Sequence, residues 1–301
     1  MAITNLDRYR PFRGSLRRRP LRFWAITAAS IRVEWKKKLP IVLLYSVPAI
    51  ATAIFGFFVY TKFAAEAELL PDGLGGGPNL MEMLAQRALK RIEVRNNIAQ
   101  FNSWVQYFAL LPAAWYGSTL FATDFKAGAH QLYFSRPISR LDYFLGKFLT
   151  SMFYSGLGVL VPGLVICIVA VFASPDWSFL TQEWTVIVQT FEYSAVWVFS
   201  TSAVALCVSS LSPRRSFAMV GFIAVFMIPT AMGLALGRMD DAAFYAISPL
   251  LDYRQLAIEI FDMSENRFRI PGAHAWWVIT GMTVVSLVLT AFRLRRLEVV
   301  A

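Results

Sequence analysis

A bilayer's hydrocarbon core is about 30 Å thick, and a helix needs roughly 20 apolar residues to cross it. Six runs in this chain reach that length: 39–60, 104–123, 148–173, 184–211, 217–237 and 275–292. They fix the expected fold class as an all-α integral membrane protein with six transmembrane helices in one domain, 1–301. Composition agrees. Apolar residues make up 57% of the chain and charged ones 16%, with a mean hydropathy of +0.51. That is too hydrophobic for a soluble domain of this size. Runs four and five are parted only by Ser212-Pro213-Arg214-Arg215-Ser216. Ser212 suits an N-cap and Pro213 the first helical position, so a tight turn is expected there.

Orientation follows from Lys and Arg. The first 38 residues, the 124–147 loop, the 212–216 turn and the C-terminal Arg293, Arg295 and Arg296 together carry 20 of the 29 basic residues. Acidic residues go the other way, with 5 on that side, 13 opposite and Glu192 within a span. Both termini are therefore expected in the cytoplasm, in a multi-pass protein of the cell inner (cytoplasmic) membrane. The net charge of +10 needs no nucleic-acid partner, because its excess lies beside the membrane, where anionic lipids attract it. No cleavable signal peptide is expected, since the first apolar run comes too late and is too long. Cys167 and Cys207 both fall within spans, which suits packing rather than a disulfide framework. His130 and His274 lie on opposite sides, so no metal site is expected from them.

Before the first span, Leu21, Trp24, Ala28, Ile31 and Trp35 recur at spacings of three and four. They define an amphipathic helix from about Pro20, suited to the headgroup region. The Gly-rich stretch 71–78 reads as a flexible linker. No Gly-Lys-Ser/Thr follows it, and Gly146-Lys147 lacks the rest of the motif too, so no Walker A sequence is present. One external helix is expected from Asn79, with Glu82 as capping partner. A second should start at Ser248-Pro249, with Leu250, Tyr253, Leu256, Ile260 and Phe261 roughly on one side. Both are expected to rest on the outer membrane surface or to cap a dimer, with lining of a substrate exit as the alternative for either. No internal repeat and no broken helix is evident.

The polar passage 124–147 has its own local logic. Pro137 disfavours helix at Arg136, so a helix begun near Asp124 should end just before it. Ser139 with Asp142 forms a capping box that starts the next helix, which leads directly into the third span. The order of residues here resembles the cytoplasmic loop of ABC-2 type transporter permeases, the membrane subunits of ATP-driven exporters. The resemblance rests on Asp124, Gly128, Ser135, Arg136, Pro137, Ser139, Tyr143, Gly146 and Lys147, and departs at Ala129, where the family often has Thr. It implies a type V exporter-like fold with an N-terminal interfacial elbow helix and short external helices. It also implies two cytoplasmic ABC ATPase subunits and a second permease, identical or related. ATP and Mg would then be bound by the ATPase and no cofactor by this chain, which would not itself be an enzyme. The coupling helix, from about Asp124 to Phe134, would meet the ATPase through Asp124, Phe125, Gly128, Leu132, Tyr133, Phe134, Arg136 and Pro137.

Glu192 is the one acidic residue at membrane depth, about 12 Å beyond Trp184 at 1.5 Å per residue. Such groups are costly in lipid and tend to face a cavity or an interior partner. With Gln189 one turn away, it is a candidate for lining a translocation path. A hydrogen-bonded contact between helices, or a place near the outer interface, fits the same position. Two other classes stay open at this point: an ion-coupled secondary transporter using Glu192, and a membrane-embedded enzyme. The first would show repeated halves and broken helices; the second would need clustered polar residues near one interface.

Overall fold

A computed structural model gives the architecture and describes residues 22–68, 94–129, 133, 138–239, 242–263 and 270–296. Their regular structure is helical, with no strand among the described residues. In chain order the α-helices used below are α1 (Arg22–Trp35), α2 (Lys38–Glu68), α3 (Val94–Pro112), α4 (Leu120–Lys126), α5 (Arg140–Ala173), α6 (Ser178–Gln182), α7 (Trp184–Leu211), α8 (Arg215–Met239), α9 (Pro249–Ile260) and α10 (Gly272–Arg295). Among the described residues, five of these are long and apolar enough to cross a membrane: α2, α5, α7, α8 and α10. The linker 71–78 and the expected helix from Asn79 lie outside the described residues, as do Pro20 and Leu21.

The expected second span is not one uninterrupted helix. Pro112 has no N–H to give to the ladder, and the next turn widens into a π-helix at Ala113–Gly117, where Ser118 N–H reaches Ala113 O at 3.2 Å. A Cβ at Gly117 would fall 2.6 Å from Ser151 Oγ and 3.0 Å from Ala205 Cβ, so only a glycine lets this wide turn press between α5 and α7. The hydroxyl of Thr119 then bonds Trp115 O at 2.7 Å, and the chain re-enters helix as α4. A broken helix therefore does exist in this fold, and the expectation of none is corrected.

α5 and α7 form the centre. α1, α2 and α3 pack on α5, and α8 and α10 pack on α7. The main core runs through Phe101, Val105, Ala109, Val159, Ile166, Tyr193, Trp197, Tyr253 and Leu256. A second, smaller core gathers Ile26, Phe121, Tyr143, Phe148, Leu206 and Leu294 at the end of the bundle where the basic residues collect. α2 and α8 leave apolar side chains such as Leu43, Ile50, Phe57, Val220 and Ile228 exposed, as lipid-facing helices do.

Two further expectations need correction. The turn between α7 and α8 is tight, but helix resumes at Arg215. Ser212 Oγ accepts from Arg214 N–H at 3.3 Å, so neither Ser212 nor Pro213 occupies the position assigned to it. α9 begins as expected, with Ser248 capping Leu251 N–H at 3.2 Å and Pro249 in the first position. It does not rest on a surface. Leu250, Leu251, Tyr253, Leu256, Ala257 and Ile258 are all buried, because apolar residues surround most of its circumference and it sinks among α3, α7, α8 and α10. In α1, Ile26 and Thr27 turn to the protein while Trp24 and Trp35 point outward.

Candidate functional site: the charged base of the 120–147 segment

α4 starts without a side-chain cap of its own. Ser209 of α7 supplies one from across the fold, accepting from Phe121 N–H at 2.8 Å and Ala122 N–H at 3.0 Å. Two of the orphan donors at the helix start are thereby satisfied, and α4 is fixed against α7. Its last turn carries Asp124. One Asp124 oxygen, Oδ2, lies 2.8 Å from Lys147 Nζ and accepts from the Tyr143 hydroxyl at 2.8 Å. The Lys147 side chain is 5% exposed and that of Asp124 15%, so the pair is largely out of water. The Tyr133 and Tyr143 rings each lie 5.9 Å from Lys147 Nζ, a cation–π range. Phe121 completes the aromatic shell against Tyr143 at 5.3 Å, and Phe125 stacks on Phe121 at 5.8 Å. Burial, then the Asp124 charge, raises the pKa of the Tyr133 hydroxyl, which stays neutral.

The second half of the base is α5. Its start is a complete capping box: Ser139 Oγ accepts from Asp142 N–H at 3.0 Å and the Asp142 carboxylate accepts from Ser139 N–H at 3.2 Å. Two turns on, Gly146 meets α1. A Cβ there would lie 2.7 Å from Ile26 Cβ and 3.0 Å from Phe23 O, and Thr27 Oγ1 donates to Gly146 O at 3.0 Å. Arg140 Nη1 donates to Arg295 O at 2.8 Å, which ties in the end of α10. One short stretch of chain thus holds α1, α4, α5 and α10 together. The Gly-Lys of the sequence pattern divides the work: Gly146 seats α1 and Lys147 holds Asp124.

The structure brings together Asp124, Phe125 and Tyr133 of the proposed contact residues. Leu132, Phe134, Arg136 and Pro137 lie outside the described residues, as does His130. The single helix expected from Asp124 towards Phe134 is corrected: α4 ends at Lys126, and Gly128 takes φ 67°, a left-handed conformation that favours glycine. Among the described residues a Cβ at Gly128 would meet nothing within 4 Å, so within the chain this glycine serves to turn the backbone. Tyr143, Gly146, Lys147 and Ser209 belong to the site although only the first three had a signal in the sequence. Ser209 had none, since nothing in an apolar helix marks which serine will cap another.

The candidate path residues separate. Glu192 is exposed on the outer face of α7, with no hydrogen bond or ion pair among the described residues. Gln189 accepts from Arg95 Nη2 at 3.3 Å. An exposed carboxylate in a spanning helix is costly unless it meets a partner or lies near an interface. Inside the bundle, polar contacts are made instead by Gln106, which accepts from the Tyr193 hydroxyl at 3.2 Å and donates to Leu250 O at 3.4 Å.

Fold and site define a multi-pass, helical membrane protein in which α4 and α5 are braced by a buried ion pair. The family model for ABC-2 family transporter proteins matches residues 16–299. The chain belongs to that family. A comparison with curated proteins found no match.

Proposed function

We propose that the chain is the permease subunit of an ABC exporter, forming the translocation path and receiving its driving motion from a separate ATPase subunit. Membership of the ABC-2 transporter family across 16–299 carries the reading. The braced 120–147 segment supports it. A lever must be rigid at its base, and Asp124, Lys147, Tyr143 and Gly146 make this one rigid. ATP and Mg belong to the partner, two copies of which would serve two permeases. In this reading the chain crosses six times, the second crossing being α3, its π-turn and α4, and the bias of Lys and Arg assigns both termini and the 124–147 segment to the cytoplasmic side.

The decisive experiment is purification of the chain from cells that also express a P-loop ATPase encoded beside it. Stoichiometric co-purification is expected, and Leu132→Ala together with Tyr133→Ala should weaken it, since buried anchors cost about 2 kcal/mol or more when truncated. A permease isolated without any ATPase under conditions that keep it folded would overturn the reading. Topology gives an independent check. A cysteine at Gly76 should react with an impermeant reagent from outside and one at Arg215 should not, because of the basic-residue bias. The two native cysteines are buried, so their background is low. The opposite labelling pattern would refute the orientation.

A further inference from the structure

α7 and α10 do not close completely on each other. Between them lies a lateral groove of about 570 Å³, with Ala195, Val196 and Phe199 on one wall, Trp276 and Thr280 on the other and Met152 at its floor. Its volume falls in the range of small-molecule sites. Two of the groove's three hydroxyls are committed elsewhere: Thr283 Oγ1 donates to Ile279 O at 2.7 Å, and Ser200 bonds Tyr253, which leaves the Thr280 hydroxyl. What the walls offer a guest is therefore almost purely apolar contact. Glu192 precedes Ala195, Val196 and Phe199 by three, four and seven residues, so it heads the same stripe of α7. It is exposed and has no ion pair or hydrogen bond among the described residues.

We propose that this groove is a binding site for an amphiphilic monocation, its apolar body between α7 and α10 and its charge paired with Glu192. The inference rests on reading the chain as a permease and adds a substrate class to it. Charge complementarity selects the occupant. A neutral acyl chain would fill the groove but leave the carboxylate bare at membrane depth, which the surrounding lipid disfavours. The chain's own cations are engaged elsewhere: Arg95 Nη2, one turn away, donates to Gln189, Lys62 borders the same cavity as Gln182 and Glu183, more than two turns from Glu192, and Lys147 is paired with Asp124.

The test uses the full chain in phosphatidylcholine nanodiscs and two probes of one shape and opposite charge, tetraphenylphosphonium and tetraphenylborate, with binding to empty nanodiscs subtracted. The wild type should bind the phosphonium at least tenfold more tightly than the borate. Glu192→Gln should abolish that preference at an unchanged melting temperature, and Ala195→Trp should block both probes. Equal binding of both ions by the wild type would overturn the proposal without needing any variant. A preference that survives Glu192→Gln would overturn it as well. So would a disulfide between two copies carrying Glu192→Cys, which would assign the groove to a protein interface. Because binding is measured on the permease alone, loss of the site and failure to recruit an ATPase are separate results.

Discussion

Lys147→Met should destabilise the permease by about 3 kcal/mol, within the range for breaking a buried ion pair from one side. The loss arises because the Asp124 carboxylate keeps only the Tyr143 hydroxyl as partner while still shielded from water. Asp124→Ala should be at least as costly. It strands an ammonium whose side chain is 5% exposed, with only the ring faces of Tyr133 and Tyr143 to replace the charge. Removing both charges together should recover part of the loss, since neither partner is then left alone. A double-mutant cycle by thermal unfolding should yield an interaction energy above about 1 kcal/mol; additivity within about 0.5 kcal/mol would show that the two do not act as a pair. The functional consequence is separable from the stability one. In a reconstituted complex, a folded double variant with a loosened base should hydrolyse ATP at a rate no longer tied to transport. Tight coupling in that variant would mean that the brace serves stability only.

The sequence made some of this legible and hid the rest for identifiable reasons. Long apolar runs marked α5, α7, α8 and α10, because bilayer thickness sets a length that composition can meet or miss. The Ser139–Asp142 capping box and the Ser248-Pro249 start were readable because capping is local chemistry within three residues. The wide turn after Pro112 was missed. A proline near the middle of a run signals a break, but the form the break takes depends on what Gly117 meets on α5 and α7. The same limit hid the burial of α9, whose apolar residues could equally have faced lipid. In the 124–147 segment the pattern located Asp124, Gly146 and Lys147. Their division of labour needed the fold, since Thr27 and Ile26 lie more than a hundred residues away. Glu192 was found by sequence as the odd charge in an apolar helix, but periodicity alone gave no reason to place it on the outer face.

Asp252 supplies the second large expected effect, a dependence of stability on pH that one substitution should remove. The residue lies in the first turn of α9, fully buried, and neither carboxylate oxygen has a hydrogen-bond partner among the described residues. At the helix start Ser248 N–H is taken by Tyr245 O, Leu251 N–H by Ser248 Oγ, and Pro249 has no N–H, so few of the donors that usually welcome an acid are left for it. Burial therefore pushes its pKa from 3.8 up to about 7. Between these values the folded chain holds a proton that the unfolded chain releases. Stability should then be greatest below about pH 4, fall as pH rises towards 7, and level off above it. At 1.36 kcal/mol per unit the full effect is about 4 kcal/mol, an upper bound that water entering around the ionised form would lower. Asp252→Asn should flatten the curve and leave the variant more stable than the wild type at pH 8, with the advantage gone near pH 4. Melting profiles of the two proteins from pH 4 to pH 8 measure it directly. A variant that keeps the wild-type slope would show that Asp252 is ionised in the fold and that its charge has found a partner there.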